Sequence, residues 1–122
     1  MFTMRKFTSL LLTLIILAAS GTTVFADSTL LSASNGSHGF KKEWSAVKKS
    51  SGKKHILTYG YDTTLINEDY AYANSIGYIH RSKLTNGKGT YYGPKKAANG
   101  GYSDIEVRHN GKSIKYYCMK TS

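Results

Sequence analysis

The stretch Tyr102-Ser103-Asp104-Ile105-Glu106-Val107-Arg108-His109-Asn110-Gly111-Lys112-Ser113-Ile114-Lys115-Tyr116-Tyr117-Cys118-Met119 decides the fold class. Asparagine followed by glycine is the preferred pair for a two-residue type I′ turn, because both central positions need positive φ. A turn at Asn110-Gly111 predicts a β-hairpin with Val107 opposite Ile114, Ile105 opposite Tyr116 and Ser103 opposite Cys118. On its other face Glu106 lies opposite Lys115 and Arg108 opposite Ser113. One face is then apolar, and the other places opposite charges across from each other, as a half-buried antiparallel pair requires.

The same texture extends towards the N-terminus. His55-Ile56-Leu57-Thr58-Tyr59-Gly60-Tyr61 is β-branched and aromatic, with Leu57, Tyr59 and Tyr61 alternating. Ile76-Gly77-Tyr78-Ile79-His80 and Gly89-Thr90-Tyr91-Tyr92 are two further strand-like runs. Asn86-Gly87, Gly93-Pro94 and Asn99-Gly100-Gly101 supply turns between them. Short strands at about ten-residue spacing, with no long helical pattern, predict an all-β fold. It is a small antiparallel β-sandwich or sheet of short strands with tight Asn-Gly hairpins, occupying residues 54–122. Ten tyrosines suit a thin core, since each brings bulk and a hydroxyl that reaches water.

Ahead of that domain, residues 27–53 read as a flexible basic segment. Residues 27–39 are rich in Ser, Gly and Asn, with Leu30 and Leu31 the sizeable apolar side chains. Phe40, Trp44 and Val47 share one face of a two-turn helix, or else belong to a short edge strand. Lysine pairs at 41–42, 48–49 and 53–54 crowd a window whose one acid is Glu43. Such a window fits an electrostatic tether to anionic surfaces.

Residues 1–26 have the three parts of a secretory signal: Arg5 and Lys6, an apolar run from Leu10 to Ala19, and Val24-Phe25-Ala26 before Asp27. The apolar run is about half the roughly 20 residues a membrane span needs. Cleavage after Ala26 and a secreted, extracellular product are therefore expected. That product has 96 residues, with 15 Lys and Arg against 7 Asp and Glu, and a net charge of +8. It is drawn to polyanions, and export makes anionic lipid or wall polymers better partners than nucleic acid. One cysteine excludes an internal disulfide framework.

No catalytic or metal-binding constellation emerges. His38, His55, His80 and His109 lack metal-ligand spacing, and Cys118 shares the apolar hairpin face. Asp62, Glu68 and Asp69 lack the spacing of a calcium loop and read as a solvated turn. The chain is thus expected to be no enzyme and to need no cofactor or metal. Binding is left. Tyr78, His80 and Arg81, then Tyr91, Tyr92 and Lys95, interleave aromatic and cationic groups beside glycine turns. Such a mixture stacks on apolar or sugar surfaces and meets phosphate with charge.

Three segments carry a family resemblance: Asn74-Ser75-Ile76-Gly77-Tyr78-Ile79-His80, Thr85-Asn86-Gly87-Lys88-Gly89-Thr90-Tyr91 and Asn99-Gly100-Gly101-Tyr102-Ser103-Asp104-Ile105-Glu106-Val107. Together with the leader they resemble the lactococcin 972 family of secreted bacteriocins. Gly101-Tyr102 stands where that family has glycine and tryptophan, while its tryptophan-rich N-terminal part has no clear counterpart. The resemblance implies a non-enzymatic antibacterial protein that binds the lipid-linked cell-wall precursor of related bacteria and blocks septum synthesis. It also implies a cognate immunity protein in the producer. The competing class is a secreted non-toxic basic binding or structural module held to wall or matrix polymers by charge.

Overall fold

The computed structural model describes residues 27–122. The signal and its cleavage point fall on residues 1–26, outside the described residues. Among the described residues no helix is long and apolar enough to cross a membrane.

Eight strands follow in chain order: β1 (Ser28–Ser34), β2 (Trp44–Lys49), β3 (His55–Asp62), β4 (Glu68–Ser75), β5 (His80–Asn86), β6 (Gly89–Tyr92), β7 (Ser103–Arg108) and β8 (Lys115–Lys120). They form two antiparallel four-stranded sheets, ordered β1-β8-β5-β6 and β2-β3-β4-β7. Each sheet turns one face to a shared core of Leu31, Leu57, Ala71, Ala73, Leu84, Ile105, Val107, Ile114, Tyr116 and Cys118. The all-β sandwich expected from the strand pattern is the observed architecture. Alternation along β5, and along β4 from Asp69 onwards, explains the layering, since every second residue there is buried.

The Asn110-Gly111 hairpin is not formed. β7 pairs with β4, whereas β8 pairs with β1 and β5, so the chain changes sheet between them. Gly111 has a φ of 90°, but Asn110 is not among the residues at positive φ, so the turn lacks the type I′ pair of conformations. The reason lies in what the corner residues bond. Gly87 N–H donates to Asn110 O at 2.9 Å, and His109 N–H donates to Asn67 O at 2.8 Å. Asn35 accepts from Ile114 N–H at 2.9 Å and donates to Lys112 O at 3.3 Å. Three other loops thus satisfy the backbone that a hairpin would have paired with itself. The apolar face survives: Ile105 and Val107 point into the core from one sheet, Ile114, Tyr116 and Cys118 from the other. Glu106 and Lys115 end on different sheets and are not cross-strand partners.

A tight turn joins β5 to β6, but Asn86 pairs with Gly89, so its two central residues are Gly87 and Lys88 and not the expected Asn86-Gly87 pair. Asn86 Oδ1 accepts from Lys88 N–H at 2.8 Å, closing the turn from within. A Cβ on Gly87 would stand 2.2 Å from Asn110 Oδ1, so this glycine lets the two Asn-Gly corners pack together.

Other expectations need correction. Residues 27–53, expected as a flexible segment, supply β1 and β2, one in each sheet. Of the two readings open for Trp44 to Lys49, the edge strand is the one observed and the helix turn is not. All six lysines of the 41–54 window are exposed, and Lys48 and Lys49 guard the β2 edge against further pairing. Residues 76–79 form the loop between β4 and β5, leaving Ile76, Tyr78 and Ile79 exposed. Glu68 and Asp69, expected in a solvated turn, begin β4 and are buried.

Cys118 is free and fully buried, and burial pushes its thiol up to about 11. Its Sγ–H points to Asn74 O at 3.7 Å on the opposite sheet. At pH 8 the native thiol should react with iodoacetamide at least about a hundredfold more slowly than in urea-unfolded protein. Equal rates would place Cys118 at the surface.

Candidate functional site

The outer face of the first sheet is assembled by strand register. Alternation along β5 sends His80, Ser82, Leu84 and Asn86 inward and leaves Arg81, Lys83 and Thr85 outward. Lys83 pairs with Tyr92 of β6 on one side and with Tyr117 of β8 on the other. Its ammonium lies 5.8 Å from the Tyr92 ring centre and 4.7 Å from that of Tyr117. The Arg81 guanidinium stands 4.3 Å over Tyr92 and donates through Nε and Nη2 to Asp27 Oδ2 at 2.9 and 2.6 Å. Lys115, one step along β8 from this row, is exposed. The result is a flat surface in which two cations lie against two tyrosine rings, each attracted by the negative ring face.

The structure brings together two of the six residues singled out in the sequence, Arg81 and Tyr92. Tyr78 lies in the β4–β5 loop, stacked on His55 with centroids 5.7 Å apart and beneath the Lys120 ammonium at 4.4 Å. His80 has no exposed surface, and its Nδ1 and Nε2 each lie 2.8 Å from a carbonyl oxygen, of Tyr78 and of Gly101. It is an internal brace between loops. Tyr91, opposite Leu84, packs against the core. Lys95 donates to the Ser122 carbonyl at 2.7 Å, at the far end of the chain. Lys83 and Tyr117 were not singled out. Period-two alternation from Arg81 signals Lys83, but Tyr117 arrives through the long-range β5–β8 pairing, which no local pattern encodes.

A second polar cluster lies inside the corner between the sheets. Asp69 has no exposed surface and accepts from His109 Nδ1 at 2.7 Å and from Asn86 Nδ2 at 3.2 Å. Burial raises its carboxyl above the usual carboxylate range, and the His109 and Asn86 hydrogen bonds, the His109 charge and the Asn110 N–H oppose that rise. Phe40 covers the His109 ring at 4.2 Å. Asn86 Nδ2 also donates to Arg108 O at 3.1 Å. The cluster ties β4, β5 and the β7–β8 crossover together. His109 Nδ1 is held by Asp69, so this ring braces the corner of the fold. Among the described residues no three His, Cys, Asp or Glu side chains group so as to hold a metal ion.

No family model, curated protein or solved structure matches the chain. The functional reading therefore rests on the residues themselves.

Proposed function

We propose that the protein is a secreted bacteriocin-like antibacterial protein that acts without catalysis on the envelope of related bacteria. In this reading the outer face of the first sheet binds an anionic envelope component. The family resemblance implies that this component is the lipid-linked wall precursor. The observation that carries the reading is Lys83 between Tyr92 and Tyr117 with Arg81 over Tyr92, a flat cation–aromatic row suited to phosphate and sugar together. The exposed lysine pairs at 41–42, 48–49 and 53–54 add long-range attraction to anionic surfaces. A producing cell would need a cognate immunity protein.

The test is titration of residues 27–122 with vesicles carrying lipid-linked wall precursor and with neutral vesicles, beside growth assays on related strains. Binding to the precursor alone is expected, weakening as salt rises. Lys83→Gln combined with Tyr117→Ala should weaken it roughly tenfold or more, the scale of one charge-assisted contact and one stacked ring. Growth inhibition without precursor binding would remove the wall-precursor mechanism. Neither binding nor inhibition would leave a secreted basic binding or structural module.

A further inference from the structure

The outward positions of the second sheet carry more carboxylates than cations, the reverse of the first. Register places Ser45, Gly60, Tyr70 and Glu106 in one row, Val47, Thr58, Tyr72 and Asp104 in the next, Asp62, Glu68 and Arg108 in a third, and Lys49, Ile56 and Asn74 in a fourth. With Glu43 beside Asp62, five of the seven Asp and Glu residues of the chain lie on or beside this face against two cations, Lys49 and Arg108; Glu43, Asp62 and Asp104 reach solvent, whereas Glu68 and Glu106 are buried. Tyr70 and Tyr72 lie along its centre with ring centres 5.0 Å apart, and Tyr72 donates its hydroxyl to Glu106. At the β2 side the face dips into a cleft of about 350 Å³ lined by Glu43, Trp44, Ser45, Asp62, Tyr70 and Tyr72. Gly60, with no side chain, lets Trp44 and the Tyr70 hydroxyl come close on either side of β3. A Cβ there would stand 2.1 Å from Trp44 O and 2.8 Å from the Tyr70 hydroxyl.

One molecule therefore carries a basic tyrosine face and an acidic tyrosine face on opposite sides of a thin sandwich. We propose that copies of this chain associate head to tail, the basic face of one copy on the acidic face of the next. Arg81, Lys83 and Lys115 of one copy would then meet the carboxylates around the cleft of its neighbour, and tyrosine rings would meet tyrosine rings. Because the two surfaces differ, the contact is heterologous, and because they lie on opposite sides of the sandwich it repeats as an open row. This inference does not depend on an envelope ligand, although a ligand on the basic face would compete with it.

Size and charge set the conditions. Four strands about 4.8 Å apart and six residues long give a face of roughly 400 Å². That is below the roughly 800 Å² per partner of a standard interface, so the association is weak and needs high concentration. The net charge of +8 on residues 27–122 opposes association at low salt. Near 0.15 M salt the Debye length is about 8 Å, so lysines remote from the contact are screened while the touching pairs are not. Association should therefore rise from low to moderate salt and fall again at high salt.

Residues 27–122 contain both sheets and the whole described core, and sedimentation equilibrium on this chain tests the proposal. Without any ligand, the weight-average mass should climb past that of a dimer with no plateau. Lys83→Glu with Lys115→Glu gives two acidic faces, and Glu43→Lys with Asp104→Lys gives two basic faces. Each variant alone should lose at least about tenfold in association constant, the effect of placing like charges in contact. An equimolar mixture should recover it, because the swapped faces again complement each other. Thermal melts confirm that both variants are folded. A monomeric parent chain at every salt concentration, a plateau at dimer, or mixtures no better than single variants would overturn the proposal.

Discussion

Replacing Leu84 with alanine should destabilise the domain by about 3 kcal/mol, within the usual range for a buried leucine. Leu84 has no exposed surface and stands in β5 on the core side, where Tyr116 and Tyr91 are its cross-strand neighbours. The facing sheet cannot close the gap. Its core positions on β4 are Ala71 and Ala73, which have no rotamer with which to reach into a cavity. Ser82 and Ser103 cannot move in either, since their hydroxyls bond each other at 3.1 Å and Ser103 also donates to Pro94 O. In a domain this small, 1 kcal/mol corresponds to about 4–8 °C, so the melting temperature should fall by roughly 12–24 °C. Leu65→Ala, at a residue 73% exposed, should change stability by less than about 0.5 kcal/mol. Urea denaturation of both variants checks this, and equal losses would show that Leu84 does not carry the core.

Particular residues show how far the sequence could be read. The alternation Leu57, Tyr59, Tyr61 and the inward faces of β7 and β8 follow from side-chain period, which is local and survives any choice of partner. The partner itself is not local. Asn110-Gly111 carries the strongest hairpin signal in the chain, yet Gly87, Asn35 and Asn67 bind its backbone and flanks and turn it into a sheet crossover. Those three residues lie at least 23 positions away, between Asn110 and Gly87 at the nearest. Trp44 to Lys49 is polar enough to look like a tail because it is an edge strand, wet on one side and lysine-guarded. β4 is hidden in the sequence for the opposite reason. Glu68 and Asp69 are charged residues in buried positions, and only tertiary partners make that tolerable. The candidate face divides the same way. Arg81 and Tyr92 were visible as types, whereas their union with Tyr117 needed the β5–β8 pairing.

Asp69 gives the sharpest test of the crossover. Asp69→Ala should cost roughly 3–5 kcal/mol, because it removes one side of a buried, hydrogen-bonded pair. His109 Nδ1, Asn86 Nδ2 and the Asn110 N–H would lose their shared acceptor, and the corner that replaces the hairpin would lose its anchor. Asp69→Asn keeps the shape and one acceptor oxygen, so its cost should be about 1–2 kcal/mol. Titration gives a second test, against the parent chain. Burial raises the Asp69 carboxyl above its unfolded value, so the folded chain holds that proton more tightly than the unfolded chain does. The contribution of this group is thus fully present below the unfolded value and is lost as pH rises through the folded one. Asparagine has no such titration. The cost of Asp69→Asn should therefore be largest on the acid side and shrink as pH rises towards neutrality. Urea titrations of the parent chain and Asp69→Asn from acid to neutral pH measure that slope. A cost that grows with pH would mean that attraction to His109 outweighs desolvation, making the cluster an ion pair of the ordinary kind.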